Sequence, residues 1–288
     1  MKVLRDVLGD AEREEVAVGH FNVADLVLLK AVFASAKELN VPVIIGVSEG
    51  EREFMGVRQI AALVRSLRDE FDFPIFLNAD HTHSLEKAVE AAKSGFDSIV
   101  FDASALPFEQ NVYETRNAVQ AIKAINPSIL VEGELGDIGT GSRIHEEAVG
   151  MTVSLTNPEE AKHFVESTGV DILAPAVGTM HGMLKSMVEG ETSKHLDIER
   201  IARIKRAVRV PLTLHGGSGT AGQDLREAIA AGINIIHINT ELRIAWRRAL
   251  EEALVDQPQE VVPYKILRFP LESVKQLALS HLRLFNNS

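Results

Sequence analysis

The chain has no cysteine. That excludes a disulfide framework, a thiolate nucleophile and any zinc or iron–sulfur site built on sulfur, so a transition metal must be held by His, Asp and Glu. No apolar run approaches the ~20 consecutive residues a membrane span requires. The segment Met1–Gly9 mixes charge with apolar residues and lacks the apolar centre of a signal peptide, so the expected setting is cytoplasmic. Positive charge is in deficit: 30 Lys and Arg stand against 41 Asp and Glu, a formal net charge of −11. With no basic run either, nucleic acid is not the expected partner, and neither is a membrane. Linkers and low-complexity tracts are also missing. What is there, 288 residues at 45% apolar and 25% charged, has the balance of a globular chain with a sizeable core, expected as one domain over 1–288.

Short runs rich in Val, Ile and Leu alternate with amphipathic segments, the pattern of βα units around a parallel sheet. The eight runs are Val16–Phe21, Pro42–Val47, Pro74–Asn78, Ser98–Phe101, Ile129–Glu132, Asp171–Ala174, Val210–Leu214 and Asn234–Ile238. Between them, Asp25–Leu39 places Leu26, Leu29, Phe33 and Ala36 on one face, and Ser84–Lys93 opens on a Ser cap with Glu86 and Glu90 beside Lys87. Asn157-Pro158 starts a helix that Thr168-Gly169 ends; Gly222–Ala231, Glu241–Leu254 and a C-terminal Leu271–Leu284 complete the series. Eight repeats in about 250 residues favour an α/β fold of the (β/α)8 TIM-barrel type, with a C-terminal helical extension, over a six-stranded open sheet.

In such a barrel the active site is built by the loops that follow the strands. The positions there are Asn22, Ser48, Asp80-His81, Asp102, Glu134, His181, His215 and Asn239-Thr240. Three of the ten histidines, His81, His181 and His215, fall just beyond the third, sixth and seventh strands. Three imidazoles converging from separate strands suit a divalent ion such as zinc and leave a position open to substrate. Asp102 and Glu134 offer an alternative or second metal position. His83 reads as a loop or solvent residue and His20 as packing at the mouth. The bland reading also serves for His145, His163, His195 and His281. His215-Gly216-Gly217-Ser218-Gly219 follows the seventh strand, where glycine N–H groups and the helix from Gly222 can cradle phosphate, with Asn239-Thr240 completing the cradle. Asp80, next to His81, is the candidate acid/base, or else a carboxylate that only orients a ligand. A Schiff base needs a desolvated Lys. No strand end has one, so metal chemistry is the expected route.

Together these stretches resemble the class II, metal-dependent fructose-bisphosphate and tagatose-bisphosphate aldolases. The likeness runs through Gly19-His20-Phe21-Asn22, Pro42-Val43-Ile44-Ile45, Asn78-Ala79-Asp80-His81, Val131-Glu132-Gly133-Glu134-Leu135-Gly136, Gly178-Thr179-Met180-His181-Gly182, the His215–Gly219 stretch and Thr240-Glu241-Leu242, about residues 1 to 255. The resemblance implies zinc-dependent cleavage of a ketose 1,6-bisphosphate to dihydroxyacetone phosphate and an aldehyde. By position, His81, His181 and His215 would bind the metal. Asp80 would exchange the C4 hydroxyl proton. Asp102 and Glu134 would match secondary or metal-shuttling carboxylates. Gly182, Gly216, Gly217, Ser218, His237, Asn239 and Thr240 would hold the phosphorylated ketone half, with Asn22 and Ser48 nearby. The resemblance also implies a Na+ or K+ near the phosphate and a homodimer or homotetramer. His237 stands where the family generally has Asn, with Asn239 the substitute at hand. Asp25 replaces a common Asn, Thr82-His83 follows the Asp-His pair, and Gly139-Thr140-Gly141-Ser142-Arg143 replaces Gly-Gly with acidic residues. These departures keep two alternatives open: metal-dependent enediolate chemistry on another sugar phosphate, as an epimerase or an aldolase with an unusual acceptor, or a non-catalytic barrel supporting a partner. The polar segment Met183–His195 is the expected lid.

Overall fold

The structure is a computed structural model that describes residues 2–136, 139, 143–146 and 154–287. Thr140, Gly141 and Ser142, in the stretch that departs from the family, lie outside the described residues. Eight parallel strands close on themselves: β1 (Val18–Asn22), β2 (Val43–Val47), β3 (Ile75–Thr82), β4 (Ser98–Phe101), β5 (Leu130–Leu135), β6 (Ile172–Pro175), β7 (Leu212–Leu214) and β8 (Ile233–Ile238). Each pairs with its neighbours in the chain, and β1 closes the ring on β8 from Val18↔Ile235 to Phe21↔Ile238. The expected barrel is therefore present, with every strand within a few residues of its apolar run. Two-residue strands, Ile144–His145 and Met183–Leu184, pair with each other outside the ring.

Helices follow the caps written in the sequence. Asp25 accepts from the Leu28 N–H at 2.8 Å and starts the helix Leu26–Leu39, so this departure from the family pattern serves as a helix cap. Ser84 caps Leu85–Ser94 and Asn157 caps Pro158–Thr168 in the same way. Leu26 does not share the buried face of Leu29, Phe33 and Ala36; it is 46% exposed, because the face turned inward begins at Leu28-Leu29. Lys87 reaches Glu49 and Glu53 across a loop rather than its own helix neighbours. The C-terminal helix Arg268–Phe285 is part of the wall: it packs between Leu26–Leu39 and Thr240–Asp256, burying Val274, Ala278, Leu282 and Phe285. Among the described residues no helix is long and apolar enough to cross a membrane.

The period of two in each strand sorts side chains into a ring facing the helices and an interior column. At the N-terminal end the interior is apolar, with Val18, Ile44, Phe76, Leu130, Ile172 and Ile235 sealed by Leu4, Val7 and Leu8 of the helix Leu4–Glu14. Two residues further along each strand the same column becomes His20, Gly46, Asn78, Glu132, Ala174 and His237. The outer ring stays apolar throughout, with Phe21, Ile45, Leu77, Ile99, Val131 and Ile236 packed under the helices.

The outer ring is tightly filled at Gly133. A Cβ there would lie 2.7 Å from the Phe164 ring. Gly133→Ala should destabilise the fold by about 1–3 kcal/mol through overpacking. Gly50→Ala, in a helix with nothing within 4 Å of the added carbon, should be neutral or slightly stabilising. Urea melts of both variants check the contrast, and equal midpoints would contradict this packing.

Candidate active site

The site lies at the C-terminal mouth, and β3 supplies its centre. Consecutive residues of a regular strand point to opposite faces. Here the β3–β4 register shifts between Ala79 and Thr82, and His81 takes a left-handed φ of 40°. The irregularity lets Asp80 and His81 both line the mouth, at the cost of backbone strain.

His81, His181 and His215 bring one nitrogen each to within 4.8 Å of one another. The other nitrogen of each ring is tied down. His81 Nδ1 donates to Asp102 Oδ2 at 2.9 Å, His181 Nδ1 to the Gly139 carbonyl at 2.7 Å, and His215 Nε2 to Glu132 Oε1 at 2.7 Å. These bonds leave His81 Nε2, His181 Nε2 and His215 Nδ1 as the converging atoms, the first and last 3.3 Å apart. Burial opposes charge on His81, but Asp80, Asp102 and Glu134 outweigh it and push that imidazole up to about 10. Burial and the His81 charge bring His181 and His215 down to about 3. Burial, then Asp102, raises Glu134 well above the carboxylate range. Glu134 Oε2 lies 3.5 Å from His81 Nδ1, is buried, and has no hydrogen-bond partner among the described residues. The cluster is thus a pocket in which carboxylates surround the imidazoles and favour positive charge among them.

Asp80 is fixed from three sides. Asn22 Nδ2 donates to its Oδ2 at 2.9 Å, while His237 Nδ1 lies 3.4 Å and His81 Nε2 3.8 Å from its Oδ1. Burial opposes its ionisation, yet His81 and His237 hold it well below the usual carboxylate range. Asn22 also donates to Glu51, which accepts from the Ser48 N–H and from Arg243. Arg52 is buried behind, donating to the carbonyls of Val47 and Asp80 and to Thr82 Oγ1. Below Asp80, His237 stacks on His20 (3.4 Å between ring centres) and on His215 (4.1 Å).

The same cleft is lined by glycines that follow the histidines. Gly216 and Gly182 have φ of 65° and 78°, and an added Cβ would meet Met180 O at 2.5 Å and Arg143 O at 2.3 Å, so neither place admits a side chain. The Gly217 N–H is taken by the His237 carbonyl, and Ser218 Oγ accepts from the N–H groups of Asn239 and Glu241. The helix start that lines the cleft is Asn239-Thr240, opening Thr240–Asp256, and not Gly222 as the glycine run suggested. At Gly219 the chain turns away, and Thr220 pairs with Lys194.

Of the expected residues, Asn22, Asp80, His81, His181 and His215 share one cleft with Gly182, Gly216, Ser218, His237, Asn239 and Thr240. Asp102 and Glu134 stand behind His81. Gly217 packs against β8, and Ser48 does not line the cleft but is joined to Asn22 through Glu51 Oε2, which accepts from the Ser48 N–H. His83 is exposed, as expected. Three contributors escape strand-end reading. Glu132 and His20 sit two residues before Glu134 and Asn22, so strand alternation alone could have found them. Lys194 is 4% exposed, its Nζ donating to the carbonyls of Met180, Gly182 and Gly216 at 2.7, 2.7 and 2.9 Å. Burial lowers it to about 7, with Glu241 pulling the other way. A desolvated lysine therefore does exist at the site, brought there by the loop after the sixth strand.

The family model described as "Fructose-bisphosphate aldolase class-II" matches residues 2–288. The fructose-bisphosphate aldolase of Geobacillus stearothermophilus is 35% identical over 99% of this chain and 96% of its own. That of Thermus caldophilus is 35% identical over 98% and 97%. Among solved structures, the YdjI aldolase of Escherichia coli K12 superposes with a TM-score of 0.80 at 31% identity, covering 99% of this chain and 96% of that one. A metal-type histidine cluster at the mouth of a closed barrel and a likeness over the whole length agree: the chain belongs to the class II fructose-bisphosphate aldolase family, and is an aldehyde-lyase.

Proposed function

We propose that this aldolase cleaves a ketose 1,6-bisphosphate to dihydroxyacetone phosphate and an aldehyde, with zinc or another divalent ion held by His81, His181 and His215. The observation that carries this is the pinning of all three rings by an acceptor on the far nitrogen, which fixes the tautomers and turns the lone pairs to one point. The donor set suits zinc: three imidazoles, no sulfur, an open side toward the cleft, and the buried carboxylate oxygen of Glu134 3.5 Å behind His81 Nδ1. When bound, such an ion polarises the substrate carbonyl.

The chain's own groups do the rest. Asp80, held ionised by its neighbours, accepts the C4 hydroxyl proton as the C3–C4 bond breaks and returns it in the reverse direction. Asn22 and His237 hold that carboxylate in place, so the proton moves to one defined oxygen. Gly182 and Gly216 allow a phosphate close to the backbone, and the N-terminus of Thr240–Asp256 adds a favourable dipole. Asp102 and Glu132 keep two of the rings in register. Leu254, Val255, Val261 and Tyr264, at the end of Thr240–Asp256 and in the residues after it, are exposed and give a homodimer or homotetramer apolar surface to cover.

His237 favours one variation. An imidazole beside Asp80, where relatives generally have Asn, reshapes the part of the cleft that meets the substrate. It favours a ketose bisphosphate other than the fructose isomer. The presence of Asp80 in one cleft with His81, His181 and His215 argues against a barrel that only binds, since a binding module needs no acid/base.

Asp80→Ala should keep its metal and lose about 10²–10⁴-fold in cleavage rate, the usual contribution of a positioned acid/base. Release of dihydroxyacetone phosphate from a panel of ketose mono- and bisphosphates measures it, and unchanged cleavage would remove Asp80 from this role. Chelation should abolish activity and added Zn2+ restore it; activity that survives EDTA would rule out the metal route. Glu132→Gln keeps the shape but weakens the hold on His215. Competition with a chromophoric chelator should then show about 10–100-fold weaker metal binding, against no change if Glu132 is only filling space.

A further inference from the structure

We infer that the Lys194 ammonium is a built-in monovalent cation: it fixes the two glycine loops of the phosphate cradle, and the chain binds phosphate without added Na+ or K+. The inference rests on the phosphate cradle proposed above.

Three backbone carbonyls aimed at one point repel each other unless a cation sits among them. Those of Met180, Gly182 and Gly216 converge on Nζ at 2.7–2.9 Å. An ammonium has three N–H donors, so each carbonyl receives one. A neutral amine has two, and would turn its lone pair toward the third oxygen. The same count argues against Lys194 as a Schiff-base nucleophile, because no lone pair is left to face a substrate carbonyl.

The cation also joins what the cleft needs joined. Met180 and Gly182 flank His181, and Gly216 follows His215, so one side chain holds both loops. The Lys194 backbone is fixed to the same place: its N–H donates to Gly219 O at 2.8 Å, and its carbonyl accepts from the Ala221 N–H at 3.2 Å. Among the described residues no carboxylate forms an ion pair with Lys194. The nearby Glu241 is engaged by the Gly219 N–H and by His281. Carbonyl dipoles balance part of the charge, and the rest adds positive potential beside Gly182 and Gly216.

The test is calorimetric titration of inorganic phosphate into the metal-loaded protein, in tetramethylammonium chloride and in potassium chloride of equal ionic strength. The wild-type Kd should be the same in both salts. Lys194→Ala should bind at least about tenfold more weakly in tetramethylammonium, a loss of about 1.4 kcal/mol, and recover in potassium as the ion enters the vacated carbonyl cage. Lys194→Met, which fills the cage without charge, should be weak in both salts. Wild-type binding that tightens tenfold or more with potassium would overturn the inference, as would Lys194→Met binding like the wild type. If neither variant folds, the wild-type comparison decides alone. Wild-type protein that binds no phosphate in either salt overturns the cradle and the inference with it, whereas a potassium requirement overturns the inference and leaves the cradle standing.

Discussion

A buried polar group must be paired, and this barrel puts a whole layer of them in its interior. Above the apolar floor, His20 Nε2 meets Asn78 Oδ1 at 3.1 Å, and Asn78 Nδ2 donates to Ser98 Oγ at 2.8 Å. Across the lumen, Thr213 Oγ1 donates to Glu132 Oε2 at 2.8 Å while the other Glu132 oxygen holds His215. Each pairing fixes a rotamer, and each fixed rotamer supports a ring at the mouth. Gly46 belongs to the same constraint: a Cβ there would lie 2.0 Å from His20 Cε1, so the glycine is the space in which that ring lies flat on His237. The geometry of the three converging nitrogens is therefore set one layer below them.

Above that layer the cleft divides by charge. Asp80, Asp102, Glu132 and Glu134 gather around the imidazoles and favour a cation there. The glycines, the helix start at Thr240 and the Lys194 ammonium make the adjoining part of the cleft attractive to an anion. A phosphorylated ketone has these two needs in one molecule, an oxygen to be polarised and a dianion to be held. Opposite fields a few residues apart orient such a substrate along the cleft, which is how binding energy becomes positioning.

Much of this was legible along the chain because a barrel converts sequence order into position. Reading the loops after the apolar runs was enough to gather Asp80, His81, His181 and His215, and the caps at Asp25, Ser84 and Asn157 marked helix starts. The failures have physical reasons. β3 runs on to Thr82 because a bulge lets polar residues stay in the ladder, which no run of apolar residues reveals. Glu132 and His20 lie inside their strands, where the apolar pattern reads them as interruptions. Lys194 sits in a polar loop that local sequence marks as solvated; only the return of that loop across Gly219 buries it. Leu26 is apolar and on the helix, but it falls at the end where no neighbouring element covers it.

His237 ties these threads together. Its backbone carbonyl accepts from the Gly217 N–H, so the residue belongs to the glycine wall. Its ring lies between His20 and His215 and faces Asp80, so it belongs to the metal wall as well. Burial and His215 bring it down to about 4, which keeps the ring neutral between its stacked partners. A neutral imidazole is wider than an asparagine side chain and has one donor instead of two. With Nδ1 toward Asp80, the ring offers the cleft a flat edge where an amide would offer two polar atoms. Asn239, just past the end of the same strand, places an amide in the lining of the same cleft.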